Sequence, residues 1–212
     1  AGSYQGGPGK LSCKPCEVGS FCPAAASAAL PCHEGSYSTA TNLTSATECT
    51  PTDEGFYAPT GSMQQVVCSP GTVAPSARMG ACDKCAAGTY QDDPGKLSCK
   101  PCEAGSFCPE AASVPLPCKL GSYSTATNLM SATECTPTDE GFYAPTGSMQ
   151  QAECSPGTVA PNVRMGACDK CAAGTYQDDP GKLSCKPCEA GSFCPEAASA
   201  ALPCHEGSYA TA

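Results

Sequence analysis

Between Cys82 and Cys102 the chain reads CDKCAAGTYQDDPGKLSCKPC, two CxxC pairs with thirteen residues between them. Three chemistries use cysteines in this pattern. Four thiolates suit a zinc ribbon. A CxxC at a helix N-terminus in a βαβ setting suits thiol–disulfide exchange. In an oxidising compartment, such cysteines cross-link. The redox reading fails on its surroundings, because SCKPCE is flanked by turn residues with no helical periodicity. Zinc at Cys82, Cys85, Cys99 and Cys102 would engage only half of the local cysteines and strand Cys22, Cys32, Cys49 and Cys68.

Other groups offer less. His33 and His205 fall at one place in a repeat whose middle copy has Lys119 there, so they mark no repeated acid, base or metal site. Asp92 and Asp93 recur as Asp178 and Asp179, but Gly6 and Gly7 take their places in the first copy. The sequence QDDPG lacks the ligand spacing of a calcium loop and reads as a solvated turn. No nucleophile elbow, phosphate-binding glycine loop or paired carboxylates occur, so no enzyme, metal or cofactor is expected. A net charge of −9 with singly scattered lysines disfavours nucleic acid and anionic membranes. The most apolar run, PAAASAALP, is too short to insert in a bilayer.

What positions the cysteines is a repeat. The 212 residues contain 20 Cys, 22 Gly and 21 Pro, no Trp and only 6 % aromatics, a composition for a cross-linked scaffold and not for a packed globule. The chain repeats with a period of 86 residues, the first two copies being about 84 % identical. The expected divisions are residues 1–86, 87–172 and a partial third period, 173–212, within a piece of a longer array. A shorter beat, Gly-[Ser/Thr/Phe]-[Tyr/Phe/Val], starts at Gly2, Gly19, Gly35, Gly55 and Gly71, and every aromatic from Tyr4 to Tyr209 falls on it. At most two rings per unit cannot offset the ordering of about seventeen residues, so covalent staples and stacking on neighbours must supply the rest.

Ten cysteines stand three residues before a beat glycine, so each unit starts at a cysteine. If each pairs with the next cysteine along the chain, the bridges are Cys16–Cys22, Cys32–Cys49, Cys68–Cys82, Cys85–Cys99, Cys102–Cys108, Cys118–Cys135, Cys154–Cys168, Cys171–Cys185 and Cys188–Cys194. Cys13 and Cys204 are left over. Between cysteines, GTYQDDPGKLSC reads as two short extended segments around a Pro-Gly turn. The expected fold is therefore small and disulfide-rich, mostly irregular with short β-hairpins, strung into an elongated tandem-repeat rod without a central core.

The pattern C-x2-G-[ST]-[YF], with CEAGSFCP and PCHEGSYS, resembles the cysteine-rich repeat of ephrin-receptor-like proteins, also called the GCC2/GCC3 repeat. Long arrays of this kind occur in extracellular proteins, including the mastigoneme proteins that form hair-like filaments on algal flagella, and this chain is similar to those in its monotony. The resemblance implies a structural segment of an extracellular filament built by self-association, at a cell or flagellar surface. The alternative is a spacer in a receptor or adhesion ectodomain. One unit departs from the pattern: from Thr50 to Val67 there is no cysteine, and two adjacent rings appear, Phe56 and Tyr57, repeated as Phe142 and Tyr143. Either the second ring replaces the missing staple, or the rings are inter-chain contacts. Glycan is expected at Asn42, whose NLT is the one N-glycosylation sequon, since the equivalent Asn128 starts NLM.

Overall fold

A computed structural model describes residues 1–7, 9, 11–205 and 207 of the chain. Tyr209, the last ring of the sequence beat, lies outside the described residues. The described residues form twelve two-stranded antiparallel hairpins, each strand two residues long, and two short 3-10 turns, Ala46–Glu48 and Ala132–Glu134. The chain divides into two compact units, Ala1–Pro101 with Pro109–Val114, and Cys102–Cys108 with Pro115–Ala212. The fold is thus disulfide-rich and mostly irregular, with short hairpins and no central core in either unit.

The beat glycine makes each hairpin possible. In the first unit the Ser36 N–H donates to the His33 carbonyl, closing a turn whose third residue, Gly35, has a φ of 77°. That left-handed conformation at the third turn position is the one glycine tolerates best. The hydroxyl after the glycine bonds the same carbonyl, as Ser36 Oγ does at 2.7 Å and Thr72 and Thr89 do in their own turns. This explains the Ser or Thr of the beat. The next residue then pairs across the hairpin: Tyr37 with Thr50, Tyr90 with Lys100.

Successive hairpins are joined by backbone hydrogen bonds that do not depend on side-chain identity. In the first unit the amides of Gly19, Gly35, Gly55 and Gly71 donate to the carbonyls of Ser38, Ala58, Ala74 and Gln91, one hairpin further on. In the second, Gly105, Gly121, Gly141 and Gly157 donate to Ser124, Ala144, Ala160 and Gln177. A further set anchors each hairpin loop: the amides of Asn42, Gly61, Arg78 and Gly95 donate to the carbonyls of Cys16, Cys32, Thr52 and Cys68. Asn42 and Arg78 have φ of 63° and 66°, so these loops also use the left-handed region.

Each unit's interior is a column of half-cystines and small residues. Cys16, Cys22, Cys32, Cys68, Cys85, Cys102, Cys108, Cys118, Cys154 and Cys171 are fully buried, as are Ala58, Ala74, Ala144 and Ala160 in the position that follows the first strand, after Tyr57, Val73, Tyr143 and Val159. The rings themselves are only partly covered, and Phe193 is 46 % exposed. Burial of aromatic rings is therefore not what organises the interior. Where a larger cluster forms, it is small: Leu43 with Cys32 and Cys49, flanked by Phe21, and its counterpart Leu129 with Cys118 and Cys135, flanked by Phe107.

Candidate functional site: the hairpin without a cystine

The cystine bridges set one hairpin apart from the others. The structure joins Cys16 to Cys22, Cys32 to Cys49, Cys68 to Cys82 and Cys85 to Cys99 in the first unit. In the second it joins Cys102 to Cys108, Cys118 to Cys135, Cys154 to Cys168, Cys171 to Cys185 and Cys188 to Cys194. Cys13 and Cys204 carry no bridge within the described residues. The four cysteines of the zinc pattern go to three different bridges, and among the described residues no cluster of His, Cys, Asp and Glu is arranged to hold a metal ion.

Most bridges close a hairpin at its base, from four residues before the first strand to the residue before the second. Cys68 and Cys82 flank the strands Thr72–Val73 and Asp83–Lys84 in this way. In the hairpin of Phe56–Tyr57 and Val66–Val67, the same two places hold Thr52 and Gln65. Thr52 is 1 % exposed and fills the buried half-cystine position, its amide donating to the Gly35 carbonyl as the amide of Cys68 does to Gly55. Its hydroxyl accepts the Met79 N–H at 3.1 Å. Gln65 turns back onto Asp53: its amide nitrogen donates to Asp53 Oδ2 at 2.8 Å, and its carbonyl accepts the Asp53 N–H at 2.8 Å.

The second unit repeats the arrangement. Gln151 and Asp139 make the same two bonds, at 2.7 and 2.8 Å, while the Thr138 hydroxyl donates to the Met165 carbonyl at 3.4 Å. The missing cystine is thus replaced by a buried threonine and an exposed amide–carboxylate clamp, not by the second ring. The signal was in the sequence: Thr52 stands three residues before Gly55, where the other units have cysteine.

Phe56, Tyr57, Phe142 and Tyr143 are all partly exposed. Beside the first pair, Met63, Val66 and Val67 are exposed at 59, 40 and 41 %, whereas in the second unit Val66 and Val67 are matched by Ala152 and Glu153. The apolar surface around the rings is larger in the first copy. Asn42 is exposed in its left-handed turn, and its sequon neighbour Thr44 is held by Glu48 through both the hydroxyl and the backbone amide.

A concavity of about 390 Å³ near His33, Glu34, Thr47 and Arg78 changes its lining between copies, since Lys119 and Leu120 replace His33 and Glu34. The Asp92 carboxylate is held below its ordinary range, first by its hydrogen bond to Lys100 at 2.5 Å, and Lys100 is raised by the same bond. The pair Asp178 and Lys186 repeats these shifts. Each lysine also lies over a ring, Lys100 at 5.8 Å from the Tyr90 centroid and Lys186 at 5.9 Å from that of Tyr176. These acids are occupied by strand-to-strand ion pairing.

Residues 71–115 match the family model described as tyrosine-protein kinase ephrin type A/B receptor-like. The chain is similar to ABC transporter G family member 28 of Arabidopsis thaliana, 36 % identical over 112 residues that make up 52 % of this chain and 8 % of that protein. It is also similar to human signal peptide, CUB and EGF-like domain-containing protein 2, 31 % identical over 128 residues, 60 % of this chain and 10 % of that protein. The chain thus spans a tenth or less of the length of these curated relatives. Among the described residues no helix is long and apolar enough to cross a membrane. Its cystine content and its match place the chain with extracellular, disulfide-bonded sequences: it is a cysteine-rich repeat array with an ephrin receptor-like segment at residues 71–115.

Proposed function

We propose that this chain is a tension-carrying repeat segment of an extracellular filament, assembled from copies of itself, without catalytic activity, in the manner of mastigoneme proteins at a flagellar or other cell surface. The observation that supports it is the near-identity of successive periods in both sequence and hairpin geometry. Nearly equivalent surfaces recurring every 86 residues allow staggered copies to make one contact repeatedly, and a head-to-tail contact that does not close propagates. Cystines suit this role, because a chain with so thin an interior would otherwise unravel on extension. The lateral contacts are assigned to Phe56, Tyr57, Phe142 and Tyr143, on the hairpins where covalent cross-linking is absent. Electron microscopy of the full-length protein tests this reading. Serine at all four rings should fray or abolish filaments while leaving the disulfide map intact; unchanged filaments would remove the rings from the contact.

A second reading, a spacer in a receptor or adhesion ectodomain, is supported by the comparisons. The matched human protein is named for CUB and EGF-like domains and is about ten times longer than the matched part. A full-length protein that stays monomeric at all concentrations and binds a soluble ligand would favour this reading over the filament.

A further inference from the structure

We propose that the eighteen-residue segments Thr50–Val67 and Thr136–Glu153 are built-in length reserves, each a hairpin together with the second strand of the hairpin before it, that release under tension and reform on relaxation while the cystine bridges on either side stay closed. The inference rests on the reading of the chain as a segment that carries tension.

Tension on the chain runs along the covalent structure. A disulfide transmits a pull directly, so residues enclosed between two bonded cysteines add no length while the bond is intact. Cys32–Cys49, Cys68–Cys82 and Cys85–Cys99 shield whole hairpin loops in this way. Only two residues separate Cys82 from Cys85, and two separate Cys99 from Cys102. Nine residues lie free between Cys22 and Cys32, and nine between Cys108 and Cys118. The longest unshielded stretches between bridged cysteines are therefore Thr50–Val67 and Thr136–Glu153, each containing both strands of its hairpin.

What closes these hairpins is noncovalent and partly wet. The Asp53–Gln65 clamp is exposed, so its bonds exchange readily with water and contribute little net stability. The better-protected contribution comes from the buried Thr52 and its bond to the half-buried Met79, and the backbone bonds to neighbouring hairpins add to it. Those neighbours are themselves cystine-closed, and they leave a fixed template on which the released segment reforms its bonds. The same polar replacement at Thr138, Asp139 and Gln151 shows that the device recurs once per period.

Single-molecule force extension of the oxidised chain, held at Pro15 and Pro195 just outside the first and last bridges, tests the proposal. Eighteen extended residues span about 60 Å at roughly 3.4 Å each, so two releases per chain are expected, each of that contour less the folded span of the segment. Inserting six Gly/Ser residues between Met63 and Gln64 should lengthen one of the two releases by about 20 Å. Thr52→Cys with Gln65→Cys should remove that release once thiol titration shows the new bridge. Releases of about 30 Å less the folded span of a nine-residue segment would overturn the assignment. So would an insertion that leaves both releases unchanged, or a chain that extends without any release. Because single chains are pulled, the outcome is separate from assembly: a chain that yields at these segments but never forms filaments keeps this inference and loses the filament, and the converse result does the opposite.

Discussion

Gln65 and Asp53 grip each other at the base of their hairpin, through two hydrogen bonds of 2.8 Å, in the place where Cys82 is bonded to Cys68 in the next hairpin. The exchange of a covalent bridge for a polar one leaves the backbone course intact, since Thr52 keeps the burial and amide bonding of the half-cystine it replaces.

Thr52 then becomes the residue on which this hairpin depends most. Thr52→Val keeps the shape but leaves the half-buried Met79 N–H without its acceptor, which costs about 1 to 3 kcal/mol. Thr52→Ser keeps the hydroxyl and removes one methyl, at a cost of about 1 kcal/mol. Urea unfolding should rank wild type above serine above valine. Thr138→Val should cost less than Thr52→Val, because its bond to Met165 is longer, at 3.4 Å. Equal losses for valine and serine would show that packing, not the hydroxyl, sets the preference.

Glycines divide into two kinds with different tolerance. A methyl at Gly35 would overlap the Arg78 carbonyl oxygen, and its φ of 77° disfavours any side chain. Gly61 has the same φ, but a methyl there meets only the Pro31 Cβ at an ordinary 3.4 Å, and the corresponding loop position holds Asn42 in another hairpin. Gly35→Ala should therefore prevent correct oxidation of Cys32 and Cys49, whereas Gly61→Asn should shift the thermal midpoint by a few degrees at most. Non-reducing peptide mapping and calorimetry read both; a normally bridged Gly35→Ala protein would contradict the close approach.

The cross-strand pair of Asp92 and Lys100 makes a signed prediction about pH. Asp92 is lowered from 3.8, so its contribution is present above that value and is lost as pH falls through the depressed folded value. Lys100 is raised from 10.5, so its contribution is present below that value and is lost as pH rises through the raised folded value. A double-mutant cycle with Asp92→Asn and Lys100→Gln should give a small coupling, flat between these limits and vanishing in acid. Both groups are exposed, so salt should weaken it. Coupling that persists in acid below the folded value would show that the pair is held by something other than its charges.

The hairpins were legible because their determinants are local. Gly35, Ser36 and Tyr37 supply a left-handed turn residue, a hydroxyl for the turn carbonyl and a strand partner within three positions. The cysteine spacing before each glycine carried the staples in the same way. What stayed hidden depends on residues far apart. The bond from the Asn42 amide to the Cys16 carbonyl uses only backbone atoms and leaves no mark in side-chain identity. Thr52 was marked by its place three residues before Gly55, but the role of Gln65 appears only when the hairpin is set against a cystine-closed one. The aromatic beat drew attention to the rings as the interior, yet the buried positions belong to the half-cystines and to residues such as Ala58 and Ala74.

The last prediction concerns Asn42 and its counterpart. The two turns match closely: Asn42 and Asn128 have φ of 63° and 61°, Leu43 and Leu129 are buried beneath them, and the amides of Thr44 and Met130 donate to Glu48 and Glu134 at 3.2 and 3.3 Å. They differ in the third sequon position, Thr44 against Met130. A glycosylating enzyme needs that hydroxyl free, and in the folded turn it is bonded to Glu48, while Leu43 is locked against Cys32 and Cys49. Glycan addition is therefore expected before the Cys32–Cys49 loop closes. Secreted from eukaryotic cells, the chain should carry N-linked sugar at Asn42 and none at Asn128. Thr44→Ala should abolish it, and Met130→Thr should create a second occupied site of comparable extent, because the turn around Asn128 is otherwise the same. Enzymatic release that converts Asn42 to Asp, followed by peptide mapping, reads occupancy at each position. An unmodified Asn42 in the secreted protein would remove the site; a Met130→Thr chain modified only at Asn42 would show that features beyond the sequon and its turn select the acceptor.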